Sequence, residues 1–131
     1  MFQFAKEILY SLHSHIILLS GTLGAGKTTF VKGIARAMGI STPIVSPSFQ
    51  IICEYTEKNM TLVHIDLYRV KNCNEVELLD IPYLCAQSMQ HIICVEWPER
   101  CLYLFDHYNP LKITLTVEKE SQTRKLQITC P

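Results

Sequence analysis

The segment Gly21-Thr22-Leu23-Gly24-Ala25-Gly26-Lys27-Thr28 lies between an aliphatic run and an amphipathic stretch, and few folds accommodate that order. Ile16-Ile17-Leu18-Leu19 before it is continuously apolar, as expected of a strand buried on both faces. After it, Phe30, Val31, Ile34, Ala35 and Met38 recur at helical spacing and Gly39 supplies a stop. Strand, glycine loop and helix together make an anion site, because the loop aims backbone N–H groups at phosphate oxygens beside a helix N-terminus. The helix dipole supplies only about 0.3–2 kcal/mol. Side chains must do the rest: Lys27 is expected to bridge the β- and γ-phosphates of a nucleotide, and Thr28 to offer its hydroxyl to magnesium. Gly21, Thr22, Leu23, Gly24, Ala25, Gly26, Lys27, Thr28 and Thr29 form the expected nucleotide-binding set. A chance match to G-x-x-x-x-G-K-[S/T] in a chain this long arises roughly a few times in a thousand at average residue usage. Lys27 is expected on a solvent-facing loop end, where its removal would abolish ATP binding and spare the fold.

Around this core the pattern alternates between the two regular structures. Residues 5–12 place Ile8, Leu9 and Leu12 on one helical face. Phe49, Ile51, Cys53 and Tyr55 alternate and predict a strand entered through Ser46-Pro47-Ser48. Residues 61–66 and 92–96 predict two more strands, each ending on a carboxylate, Asp66 and Glu96. Glu75 to Leu79 predicts a short helix, and Pro82 suits the first turn of another. Two alternating runs, 112–119 and 124–130, predict an antiparallel hairpin around a solvated Glu118-Lys119-Glu120 turn. The expected architecture is α/β: a P-loop NTPase-like three-layer domain over 1–131, whose mixed, mostly parallel central sheet carries a C-terminal antiparallel hairpin.

Ligands of open α/β sheets sit beyond the carboxyl ends of the strands, which singles out Asp66 and Glu96. One is expected to hold magnesium through its water shell and the other to orient the attacking water; the residues alone do not say which. Ser48 is either a hydroxyl that senses the γ-phosphate or the start of a turn. His64 reads as a core imidazole before a proton shuttle. Arg69 is as suited to a surface salt bridge as to a developing phosphate charge, and Trp97 to flooring the site or meeting a partner.

Charge argues against direct nucleic-acid binding. Twelve lysines and arginines balance twelve aspartates and glutamates, whereas phosphate-neutralising proteins carry a basic stripe. Six cysteines stand singly, without a C-x-x-C pair, and are expected to be reduced structural thiols of a cytoplasmic protein. No signal peptide is read, and no membrane association is expected: the run 16–19 is far too short to cross a bilayer.

Four segments, Gly21–Phe30 (GTLGAGKTTF), Ser46–Phe49 (SPSF), His64–Arg69 (HIDLYR) and Val95–Glu99 (VEWPE), occur in the order of the bacterial TsaE (YjeE) family, which the chain resembles over residues 5 to 118. Glu75-Val76-Glu77-Leu78-Leu79-Asp80 is similar to that family's short acidic helix. The resemblance implies an ATPase, weak until partners engage, in threonylcarbamoyladenosine modification of tRNA. It implies the TsaB–TsaD heterodimer as partner, with tRNA met only through that complex. By matching position it implies Lys27 and Thr28 as phosphate and magnesium residues, Asp66 as the magnesium-side carboxylate, Ser48 as a switch hydroxyl and Glu96 as the acid tied to hydrolysis. Trp97 would mark the adjoining functional surface. Lys27, Glu96 and Ser48 thus form the expected catalytic set, and Thr28, Asp66 and Glu96 the expected metal set. The chain departs from the family pattern at Thr22, where aspartate is usual, and at Ser48, where SPT becomes SPS. Two other readings are a small P-loop kinase of a metabolite, which needs a lid rich in arginine, and a nucleotide-gated binding module whose hydrolysis is incidental.

Overall fold

Alternation along the central strands decides which side chains meet the phosphate loop. The computed structural model describes residues 1–86 and 90–130. Its strands β1 (Ile16–Gly21), β2 (Ile52–Glu57), β3 (Met60–Asp66), β4 (His91–Glu96), β5 (Leu111–Val117) and β6 (Arg124–Thr129) form one sheet in the order β2-β3-β4-β1-β5-β6. The pairs β3–β4, β4–β1 and β1–β5 are parallel. Successive side chains of a strand point to opposite faces. Ile17 and Leu19 of β1, Leu62 of β3, Ile92 and Cys94 of β4, and Ile113 and Leu115 of β5 therefore share one face. There they pack against helices α1 (Phe2–Ser11) and α2 (Lys27–Ala37), through residues such as Ala5, Ile8, Phe30 and Ile34. The opposite face buries Ile16, Leu18, Val63, Ile65, Ile93 and Val95 beneath Val76 of α3 (Asn74–Glu77), Ile81 and Leu84 of α4 (Ile81–Cys85), and Phe105. Three layers result, as the sequence predicts.

The even-numbered positions of β3 and β4 lie on the α2 side, so His64, Asp66 and Glu96 point towards the helix that follows the phosphate loop. The register sets Asp66 beside Glu96, and Glu96 beside Leu19 at the end of β1. A slip of one residue would turn both acids to the other face.

Two expectations need correction, and the expected sheet gains a detail. The strand predicted from Phe49 starts only at Ile52, because Pro47 closes a turn: its carbonyl accepts from the N–H groups of Gln50 and Ile51 at 2.9 and 2.7 Å. Ile51 adopts φ 66°, and Phe49 is 84% exposed instead of laddered. The mixed sheet carries the expected C-terminal antiparallel pair, β5–β6, and a second antiparallel pair, β2–β3, forms its other edge. The expectation of six reduced thiols fails at one pair, since Cys73 and Cys101 form a disulfide. They sit after the ends of β3 and β4, where the folded layers bring the two segments together. Buried Cys94 and Cys85 do behave as small hydrophobes: burial raises both thiols, that of Cys85 to about 11. Among the described residues no helix is long and apolar enough to cross a membrane.

Gly21 ends β1 at φ 143°, directly beside Leu115 of β5, and a Cβ there would run into the Leu115 carbonyl oxygen. Gly24 also has positive φ, 79°, but a Cβ would meet nothing within 4 Å. Gly21→Ala is therefore expected to cost about 2–4 kcal/mol and Gly24→Ala about 1 kcal/mol, the difference being the backbone collision. Urea unfolding of both variants checks this, and equal losses would contradict the packing argument.

Candidate functional site

The glycine loop folds back on its own lysine. Lys27, at the start of α2, is only 4% exposed, and its Nζ donates to the carbonyl oxygens of Gly21 at 2.6 Å and Thr22 at 3.0 Å. It also lies 3.8 Å from the centre of the Trp97 ring. Trp97 follows β4 in a left-handed conformation, φ 57°, which ends the strand and turns the indole over the loop. Tyr68 also packs against that indole, tilted, with ring centroids 5.0 Å apart. The expectation of a solvent-facing Lys27 is thus overturned: the loop is short enough for the amine to span it. Burial lowers the ammonium below the ordinary lysine range, while the charges of Glu96, Glu99 and Asp66 oppose the shift.

Thr28, one residue on, donates its hydroxyl to Glu96 Oε1 at 2.7 Å. The same oxygen lies 2.8 Å from His64 Nε2. Glu96 and His64 are 3% and 0% exposed. His64 stands opposite Cys94 in the β3–β4 register, so Glu96 is its diagonal neighbour two residues further along β4. The imidazole therefore does more than fill the core: it shares the acid that binds Thr28. Among the described residues its Nδ1 is buried without a hydrogen-bond partner. With Nε2–H donating to the acid, Nδ1 is the acceptor nitrogen of the ring.

Asp66 serves a different neighbourhood. Its Oδ2 accepts from the hydroxyls of Ser46 and Ser48, both at 3.0 Å, and its Oδ1 from the Tyr68 N–H at 2.9 Å. The two serine oxygens are themselves 2.7 Å apart. Asp66 thereby holds the loop between α2 and β2 against the end of β3, at the rim of the cleft. Ser48 lines the cleft as well as following Pro47 in the turn.

These elements enclose a cleft of about 260 Å³ lined by Leu23, Gly24, Gly26, Lys27, Thr28, Thr29, Ser46, Ser48, Asp66, Tyr68, Glu96, Trp97 and Arg124. Of the sequence-predicted residues, Gly21 and Thr22 contribute carbonyls to Lys27 without lining it, and Ala25 is buried in the core below. Arg69 does not line it; its guanidinium stacks 4.2 Å from the ring centre of Phe49. Sequence reasoning missed the tie from His64 to Glu96 and the approach of Arg124. The first was legible in part, since position 64 lies two residues before Asp66 and so shares its face of the strand. The oxygen donors here (one hydroxyl and two carboxylates) match magnesium, which takes one or two carboxylates and keeps water or phosphate as its other ligands. Among the described residues no cluster of three or more His, Cys, Asp or Glu could hold a metal by itself.

A family model described as threonylcarbamoyl adenosine biosynthesis protein TsaE matches residues 1–126. A protein of Nostoc sp. named tRNA threonylcarbamoyladenosine biosynthesis protein TsaE is 41% identical over 87% of this chain and 69% of its own length. A protein of the same name from Aquifex aeolicus is 37% identical over 97% of this chain and 86% of its own. The crystal structure of Bacillus subtilis YdiB superposes with TM-score 0.66 at 30% identity, covering 99% of this chain and 80% of that one.

Because Lys27 both spans the loop and faces the cleft, Lys27→Ala is expected to do two things at once. ATP affinity should fall below what calorimetry detects, and stability should drop by about 1–2 kcal/mol as two carbonyls lose a charged donor. Calorimetric titration and urea unfolding read the two effects separately; unchanged ATP affinity would overturn the assignment of the phosphate site.

Proposed function

Because the chain belongs to the TsaE family of threonylcarbamoyl adenosine biosynthesis proteins, we propose that it works in tRNA modification as an ATP-binding and ATP-hydrolysing accessory of the TsaB–TsaD heterodimer. The observation that carries the enzymatic part is the contact of Thr28 with Glu96 at 2.7 Å, in a cleft floored by the glycine loop. The hydroxyl that opens α2 and the acid that ends β4 meet where the β- and γ-phosphates of a nucleotide on that loop would lie.

Each residue has a task under this reading. The loop N–H groups and Lys27 hold the phosphates, and Lys27 regains in phosphate oxygens the charge partners that burial denies it. Thr28 and Glu96 are the residues that would hold magnesium, which when bound neutralises phosphate charge. Contacts in the cleft favour a division different from that implied by the resemblance. Glu96, on Thr28, is the metal-side carboxylate, with His64 fixing its orientation. Asp66 anchors Ser46 and Ser48 and so couples the 46–48 loop to the end of β3. Ser48 is the hydroxyl of that loop placed to answer the γ-phosphate, and a loop released or ordered in this way is what a partner protein can sense.

The two carboxylates are separable by experiment. Glu96→Gln is expected to raise the magnesium concentration needed for half-maximal ATPase activity by about tenfold, the loss of one charged ligand. Asp66→Asn should leave that requirement near wild type and weaken the response to TsaB–TsaD. Magnesium titrations of both variants test the division, and the opposite pattern would return the metal to Asp66.

A second expectation concerns nucleic acid. With equal numbers of acidic and basic residues, the isolated protein should show negligible tRNA binding at physiological salt in a gel-shift titration. It should support repeated rounds of modification only together with TsaB–TsaD and ATP. Tight tRNA binding by the lone chain, or full multiple turnover with Glu96→Gln, would contradict the proposal.

A further inference from the structure

One cation of the cleft comes from the far end of the chain. Strand β6 is antiparallel to β5, so it begins at the edge of the sheet where the parallel strands finish, which is the ligand edge. Its first residue, Arg124, pairs with Val117, two positions past the Leu115 that faces Gly21. The side chain crosses the phosphate loop: a Cβ built on Gly26 would lie 3.1 Å from Arg124 Nε and 3.4 Å from Cδ. Arg124 lines the same cleft as Lys27, Thr28 and Glu96. Among the described residues its guanidinium makes no hydrogen bond, ion pair or ring contact.

Charge balance says what such an arginine is for. The two other ionised groups lining the cleft besides Lys27 are Asp66 and Glu96, both buried acids. Without Arg124 the bare cleft is negative, a poor host for a polyphosphate. A guanidinium is planar, always charged and carries donors in a fork that matches phosphate oxygens. It adjoins Gly26, and the amides of this stretch of a glycine loop cradle the α- and β-phosphates.

We propose that Arg124 is a nucleotide-binding residue, an arm supplied in cis by the C-terminal hairpin that grips the α/β-phosphate portion of the ligand across Gly26. This rests on the reading of the cleft as an ATP site. It differs from a γ-phosphate contact in what it discriminates: an arm on the α/β-phosphates serves ADP as well as ATP, and its loss weakens both.

Calorimetric titration of ATP and ADP, each with magnesium, into the full chain and its Arg124→Ala and Arg124→Lys variants tests the proposal. Arg124→Ala should weaken ATP and ADP alike, by about tenfold or more for the loss of a charge-assisted hydrogen bond. Arg124→Lys, which keeps the charge and loses the fork, should fall between. The thermal midpoint without nucleotide should not move, because Arg124 is exposed on an edge strand. Unchanged affinity for both nucleotides in Arg124→Ala, with wild type binding normally, overturns this inference and leaves the ATP site standing. Loss of ATP affinity with ADP affinity intact overturns it too, by moving the contact to the γ-phosphate. If wild type itself binds neither nucleotide, the reading of the cleft fails first.

Discussion

Parallel pairing of β3, β4 and β1 is the constraint on which the rest of the molecule depends. Parallel strands need crossovers, the crossovers supply the layers on both faces, and a sheet covered on both faces is built from unbroken aliphatic runs. That requirement is met by Ile16 to Leu19 and Ile92 to Val95, whose alternate residues enter the two cores. The same pairing aligns the strand ends, so that Leu19, Glu96 and Asp66 lie side by side. The chemistry is therefore not added to the fold at a loop of arbitrary placement. It stands where the register delivers two acids to the first turn of α2.

Electrostatics of the cleft follow from its position. Lys27, Asp66, Glu96 and His64 are all nearly inaccessible, yet each charged group has partners of fixed geometry: carbonyls and an indole for Lys27, three donors for Asp66, a hydroxyl and an imidazole for Glu96. Preorganisation of this kind means that a ligand meets dipoles already aimed, with little rearrangement left for the moment of reaction. The loop between α2 and β2 is held differently, through two hydroxyls on one carboxylate oxygen. Asp66 thus ties that loop to the end of β3, whereas Lys27 and Glu96 tie the glycine loop and α2 to the ends of β1 and β4.

Much of this was legible in the residues. The glycine loop, the apolar strand before it, the amphipathic helix after it and the strand-end acids all follow from local patterns, and the structure places them together. The parts that were not legible depend on contacts between distant segments. Alternation at Phe49, Ile51 and Cys53 reads as strand, but the turn made by Pro47 takes the backbone N–H groups of Gln50 and Ile51. Nothing local tells that Lys27 will span its own loop, or that His64 will find Glu96, since the β3–β4 register decides the latter. Arg124 reads as one more charge of a hairpin until the antiparallel direction of β6 is known. The cysteines mislead for the same reason: single spacing in sequence says nothing about which two segments the layers bring into contact.

The bond between Cys73 and Cys101 closes a covalent ring around α3, α4 and β4. Pairing β3 with β4 otherwise joins residues thirty positions apart, as Thr61 and His91 are. In the oxidised chain a shorter path runs from Asp66 to Cys73 and from Cys101 back to Glu96, bypassing the whole crossover. Cross-linking a ring of this size removes on the order of 3–4 kcal/mol of loop-closure entropy from the unfolded ensemble in the chain-entropy account. In that account the tether acts on the unfolded chain more than on the folded one, by shortening the loop that separates the two acid-bearing strand ends.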